Sequence, residues 1–296
     1  MKTIGFVGLG DLGLSMVGNV LKAGFSVVGF DLRDERLVLL EQAGGTRAGS
    51  CRELGEQCDA VFVMVLNGAQ AYDVALGDNG LVHGLKAGST VIVSATINPR
   101  EVKALEAPLA AAGIGMIDSP VTGGKSGAEG GTLTLMAAAK PDVLEANRDV
   151  LDAVSKKIFH VGEEIGHGQS VKAALQVFIG ATFAATFESL VLASKSGVSG
   201  QTMFDVISAS AAGSPLFENC AAMVMDRKFK NTGSGIGTMY KDLGISVNVG
   251  HEKGAAMFLT STVYEMFQSG ISMYPDEDNW AVVKVLERIA DTEVTR

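Results

Sequence analysis

The chain opens with a short continuous apolar run, residues 2–7, followed by glycines at positions 8, 10 and 13. From Leu14 to Ala23 the apolar residues recur at helical spacing, and Gly24 stops the pattern. A second continuous run, Val27 to Phe30, ends at Asp31. Short continuous runs bounded by turn residues read as buried strands, and a 3.6-residue period reads as helix. The same alternation predicts helices at 36–43, 50–57, 70–76 and 99–112, and strands at 60–66, 90–94, 115–118, 133–137 and 157–161. Strand and helix in strict turn are the pattern of a doubly wound parallel sheet.

A helix is predicted from Gln169 to Ser196, ended by Gly197. It is apolar on almost every side, which predicts burial between two domains or two subunits. Beyond it only helical spacing appears: 199–210, a helix begun near 215, then 239–250, 255–269 and 280–289. The expected organisation is an α/β domain over 1–164 and an all-α domain over 165–296, the second beginning with the long helix that joins the two.

Composition narrows the function. The 296 residues are 47% hydrophobic and 19% charged, as in a globular protein. A net charge of -9 argues against a nucleic-acid partner. The apolar stretch 171–193 is interrupted by Lys172, Gln176, Gly180 and Glu188, so a core helix is expected and no membrane span. Cys51, Cys58 and Cys220 have no ligand spacing and read as small buried hydrophobes in a reducing, cytoplasmic setting. The N-terminus lacks the basic segment and cleavage site of a secretion signal. The four histidines have no ligand spacing, and the acidic turn 275–278 reads as a surface feature, so no metal site is expected.

Gly8-Leu9-Gly10-Asp11-Leu12-Gly13 lies between a strand and a helix, the context a dinucleotide turn needs. Gly8 permits the tight turn, Gly10 lets a pyrophosphate approach the backbone, and Gly13 lets helix and strand close up. The helix N-terminus offers N–H groups to the phosphates. Asp31 lies about twenty residues on, where a carboxylate accepts ribose hydroxyls, which favours NAD over NADP. Arg33 tempers this, because it could meet a 2′-phosphate. Ligands of such sheets bind at the carboxyl ends of the strands, so Leu66, Asn67 and Thr96 are candidate cofactor contacts or ordinary loop residues.

Two further stretches carry candidate chemistry. Residues 118–124, Asp-Ser-Pro-Val-Thr-Gly-Gly, lead into more glycines at 127, 130 and 131. Thr122, Gly123 and Gly124 form either an anion-binding nest or a flexible loop. Lys172 is expected in the first turn of the long helix, with Gln176 one turn later on the same face. The positive helix end and partial burial would both lower the lysine's pKa toward a value useful in proton transfer. The alternative is a snorkelling lysine.

Taken together, these motifs, with Gly131-Thr132-Leu133-Thr134-Leu135-Met136, Gly166-x-Gly168-x-x-x-Lys172 and Lys241-Asp242-Leu243, resemble the β-hydroxyacid dehydrogenase family over nearly the whole chain. The resemblance implies a Rossmann domain joined by a long helix to an all-helical domain, in a homodimer or homotetramer. It implies NAD-dependent oxidation of a small anionic hydroxy acid, with Lys172 as catalytic acid/base. Ser119, Thr122, Gly123, Gly124 and Gln176 would hold the substrate, and Thr96 and Lys241 would line the nicotinamide side. Two positions depart from the family pattern: Gln176 stands where most members have Asn, and Thr122 where they have Ser. Gln176 and residues 213–219 are similar to the L-threonate dehydrogenase branch, which implies a four-carbon sugar acid as substrate. The alternatives are a 3-hydroxyisobutyrate dehydrogenase, a reductase of glyoxylate, succinic semialdehyde or tartronate semialdehyde, and a dinucleotide-binding adaptor without activity.

Overall fold

The computed structural model describes residues 2–296. The chain divides into two compact units, Met1–Lys172 and Ala173–Arg296. In the first, β1 (Thr3–Val7), α1 (Asp11–Lys22), β2 (Ser26–Phe30), α2 (Asp34–Gln42), β3 (Thr46–Arg47), α3 (Cys51–Gln57), β4 (Ala60–Val63), α4 (Gly68–Leu76), β5 (Thr90–Val93), α5 (Pro99–Ala111) and β6 (Gly115–Asp118) alternate. The chain continues through β7 (Val121–Thr122), α6 (Gly124–Glu129), β8 (Leu133–Ala138), α7 (Pro141–Ala146), α8 (Arg148–Val154) and β9 (Ser155–Gly162). The long helix α9 (His167–Lys195) starts in this unit and ends in the second.

The sheet runs β3-β2-β1-β4-β5-β6-β8-β7, with β9 on β8. From β3 to β6 every pair is parallel. The expectation of a wholly parallel sheet fails at β8, which is antiparallel to β6 and β7. A parallel neighbour needs a long crossover, whereas here the chain turns straight back through β7 and the short α6. The β8–β9 pair is parallel again, because α7 and α8 supply the crossover. Those two helices and α6 are absent from the pattern-based expectation, and the strand expected over 60–66 stops at Val63.

Strand residues alternate between two cores. Ile4, Phe6, Phe62, Ile92 and Ile117 belong to one, and Val7, Val61, Val63, Val91 and Val93 to the other. This is the period-two consequence of a strand buried on both faces, and it explains the continuous apolar runs.

The second unit is helical: the rest of α9, then α10 (Gly200–Ser208), α11 (Pro215–Met225), α12 (Ile236–Lys253), α13 (Phe258–Met273) and α14 (Val282–Ala290). Ser199 and Ser214 cap α10 and α11 by accepting backbone N–H groups. Phe183, Phe187 and Leu190 of α9 form its core with Phe217, Leu243, Phe267 and Trp280. α9 is the helix of apolar length and composition sufficient to cross a membrane, yet this packing makes it a core helix. It is not buried all round, contrary to what its composition predicts. Phe183, Phe187, Leu190 and Val191 are buried, while Phe178 and Leu192 stand 68% and 69% exposed. The chain's own helices cover only one stripe of it.

The boundary between units lies eight residues beyond the expected one at 164, since the first turns of α9 belong with the sheet unit. Gln169 explains this: its side chain bonds to Ile97, Ala95 and Asp118.

Candidate active site

The glycine turn follows β1 directly. Gly8 has φ +93°, and a Cβ there would lie 2.3 Å from the Met64 carbonyl oxygen. A Cβ on Gly13 would lie 2.2 Å from the Gly8 carbonyl oxygen. Both glycines are therefore required by backbone crowding. A Cβ on Gly10 would meet nothing within 4 Å. That glycine faces open space, as expected where a phosphate approaches. Asp11 and Leu12 begin α1, which Gly10 precedes, and no side chain caps it. The N–H groups of the first turn are thus available to an anion, so the residues fit a dinucleotide pyrophosphate.

Asp31, just past β2, is tied to the same turn. One carboxylate oxygen accepts the Leu9 N–H at 2.7 Å, and the other the Arg33 N–H at 2.9 Å. The Arg33 guanidinium lies against both oxygens at 3.1 and 3.2 Å. Burial pushes the Asp31 carboxyl up, but the Arg33 side chain and the two N–H donors outweigh it and hold it below the usual carboxylate range. Asp31 is ionised at neutral pH and repels a 2′-phosphate. Arg33 is engaged by Asp31.

Leu66, Asn67 and Thr96 all follow strands β4 and β5 at their carboxyl ends. Leu66 is 71% exposed. The Asn67 side chain caps α4 by accepting the Gln70 N–H at 2.9 Å, so it has a structural task of its own. Thr96 sits between two residues held by Gln169: Ala95 accepts from its amide at 2.9 Å, and Ile97 donates to it at 3.1 Å.

Asp118 ends β6 beside these loops and is fully buried. One of its oxygens accepts the Gly166 and Gln169 N–H groups at 2.9 and 3.2 Å, and the other the Gln169 amide at 3.0 Å. The carboxylate thus satisfies N–H groups that the start of α9 would otherwise leave orphaned. Burial pushes its carboxyl up to about 6, against the pull of those donors. Gly168 permits the approach, since a Cβ there would lie 2.6 Å from the Asp118 and Met136 carbonyl oxygens. Ser119 is also fully buried, and its hydroxyl has no partner among the described residues. It is enclosed, unlike Thr122, which is half-buried on β7. Gly123 and Gly124 follow with φ +130° and +61°, and Gly124 opens α6.

Lys172 is 7% exposed. α9 begins at His167, two residues earlier than expected, because Gly166 with φ +103° turns the chain into it. Lys172 therefore stands in the second turn, where the field of the helix end has weakened.

In the helical unit, Gln176 and Lys241 meet at Asp242. The Gln176 amide donates to Asp242 at 2.6 Å, and the Lys241 ammonium lies 3.0 Å from the other Asp242 oxygen. Sequence reasoning passed over Asp118, Gln169 and Asp242 as functional residues. Each lay inside a quoted motif, but its role comes from partners far along the chain.

Residues 3–162 match the family described as the NAD binding domain of 6-phosphogluconate dehydrogenase, and residues 166–286 that described as NAD-binding of NADP-dependent 3-hydroxyisobutyrate dehydrogenase. The L-threonate dehydrogenase of Haemophilus influenzae is 33% identical over 97% of this chain and 96% of its own. The chain belongs to the 3-hydroxyisobutyrate dehydrogenase family. Members similar to it include the NAD-dependent L-serine dehydrogenase of Pseudomonas aeruginosa, 28% identical over 97% of this chain and 98% of that one. The crystal structure of a 3-hydroxyisobutyrate dehydrogenase from Salmonella typhimurium has a TM-score of 0.87 and 32% identity, covering 96% of this chain and all of that one. This family member is an NAD-dependent hydroxyacid dehydrogenase, as the motifs implied.

Proposed function

We propose that the substrate is a four-carbon sugar acid such as L-threonate, oxidised at its 2-hydroxyl with Lys172 as acid/base. The observation that carries the chemistry is the setting of Lys172. A buried amine stands on a helix whose start is bonded to the carboxyl edge of the sheet that bears the glycine turn. The nicotinamide, when bound, supplies the hydride acceptor. Lys172 takes the hydroxyl proton, and the Thr122 hydroxyl with the Gly123 and Gly124 N–H groups holds the substrate carboxylate. Gln176 contacts the substrate one helical turn beyond Lys172, and Lys241 adds positive field for an anion. Asp31 and the Gly8–Gly13 turn hold the adenosine and pyrophosphate, with Leu66, Asn67 and Thr96 beside them. Full-length similarity to L-threonate dehydrogenases supports the choice of substrate.

The test is NAD⁺ and NADP⁺ reduction against L-threonate, D-threonate, erythronates, 3-hydroxyisobutyrate, glycerate and 4-hydroxybutyrate. Turnover of a four-carbon sugar acid with NAD⁺ is the expected result. Turnover of 3-hydroxyisobutyrate alone would replace the substrate and keep the chemistry.

A cytoplasmic location is proposed, and three free, buried cysteines support it. Burial holds the Cys51 and Cys58 thiols up at about 11 and about 12, far from reactivity. A homodimer or homotetramer is proposed from the groove of about 360 Å³ that α9 and α13 form, lined by Phe178, Ala181, Ala185, Leu259 and Met266. Phe178→Glu should lower the oligomer mass in light scattering, and an unchanged mass would remove this face from the assembly.

A further inference from the structure

We infer that Asp242 is a positioning residue that fixes the Gln176 side chain with its carbonyl oxygen toward the substrate, so that the site selects acids carrying a further hydroxyl. The inference rests on the proposed dehydrogenase chemistry and names the feature of the substrate that the site reads.

Asp242 lies on α12 and is 4% exposed; Gln176 lies on α9 and is 6% exposed. The two meet at 2.6 Å. An amide beside a carboxylate that is ion-paired with a lysine has one admissible orientation. Its NH2 must face the anion, because the reverse would press two acceptors together. The ammonium of Lys241 is ion-paired with the other oxygen at 3.0 Å, which leaves the second oxygen for Gln176. That other oxygen is enclosed and has no hydrogen-bond partner, so it has no alternative to Lys241. The remaining capacity of the amide lies in its carbonyl oxygen. That oxygen accepts no hydrogen bond from the described residues, and it is not among the buried atoms left without a partner. Water can meet this oxygen in the free site, and a substrate that displaces the water must supply a donor in its place. A substrate hydroxyl is one, and a methyl or hydrogen in its place is not. Sites built to bond a hydroxyl reject analogues lacking it, because the protein group is left unpaired.

The experiment compares kcat/KM for L-threonate and 2-hydroxybutyrate, which keeps the reacting hydroxyl and lacks the outer ones. Wild type, Asp242→Asn, Gln176→Met and the double variant are measured with NAD⁺. Asp242→Asn lets either end of the Gln176 amide face it, and Gln176→Met removes the acceptor. Each single variant should lower the preference for L-threonate tenfold or more, and the double variant no further, as for residues acting as one unit. A preference kept within threefold by Asp242→Asn, with Gln176→Met reducing it, overturns the role of Asp242 and leaves the dehydrogenase reading standing. So does an equal loss on both acids accompanied by a lower Tm, the mark of a merely structural residue. Wild type oxidising neither acid overturns both readings. Should Asp242→Asn fail to fold, the Gln176 side-chain amide signals, assigned by their loss in Gln176→Met, decide the matter in the NADH complex, where L-threonate binds without being oxidised. One proton bonded to carboxylate should resonate downfield and stay there when L-threonate is added. Movement of that proton on binding would show the NH2 meeting the substrate and overturn the inference.

Discussion

Asp118 in the sheet unit and Asp242 in the helical unit are both buried carboxylates beside candidate site residues, yet they are satisfied by different partners. Asp118 accepts backbone N–H groups at the start of α9, with one side-chain amide. Asp242 is met by two side chains, Gln176 and Lys241. Backbone donors are present whatever the residue type, so Asp118 holds the path of the chain. Side-chain donors change with a substitution, so Asp242 sets what the site presents. Loss of the first should therefore be felt in stability, and loss of the second in specificity.

The largest effect is expected at Lys172, the last residue of the sheet unit. Lys172→Ala should lower kcat by about a hundred- to ten-thousand-fold, the range for a lost general acid or base. NAD affinity, followed by fluorescence titration, should not change. Full turnover in the variant would leave the sheet unit with cofactor binding alone and break the comparison.

Two glycines divide the fold from the ligand within the sheet unit. Gly8→Ala forces a Cβ into the Met64 carbonyl at a positive φ. It should cost about 3 kcal/mol in urea unfolding, strain and crowding together. Gly10→Ala meets no atom within 4 Å, so stability should change by less than ~1 kcal/mol while NAD affinity falls. Equal effects on stability would refute the assignment of Gly10 to the phosphate.

Asp118→Asn places an NH2 against the Gln169 amide and should cost about 1–3 kcal/mol, the range for a buried donor left unpaired. Its pH dependence has a definite sign. Burial pushes the folded carboxyl up to about 6, from the 3.8 of an ordinary aspartate. The group's contribution is complete below 3.8 and is lost as pH rises through 6. The Tm advantage of wild type over the variant should therefore be larger at pH 5 than at pH 7.5, and a constant gap would place the titration elsewhere. A smaller loss of stability than at Gly8 or Asp118 is expected at Asn67→Ala, about 1 kcal/mol for a lost helix cap. A loss of NAD affinity beyond that cost would add a cofactor contact to its structural task.

Much of this was legible in the chain because it is local. The sequence Val7-Gly8 demands a backbone that only glycine adopts, and β1, α1 and β2 follow from the spacing of their apolar residues. The stretch 141–154 was not legible. Its two helices are a turn or two long, and the Asn147 side chain between them donates to Thr90 and the Val143 carbonyl and makes no capping bond to the second. Ser119 was counted with the substrate residues by its place in a motif, and only its packing shows that it is enclosed.

What the sequence determined by itself is therefore the order of elements, the dinucleotide turn and the change from alternating to all-helical structure. Each depends on residues within a few positions of one another. Only the tertiary structure decided the direction of β8, the one-sided burial of α9 and the partners of the two carboxylates. Gly166 lies 48 residues from Asp118, and Gln176 lies 66 from Asp242. Hydrogen bonds over such separations form when the packing of distant elements brings donor and acceptor together, and no local pattern encodes them.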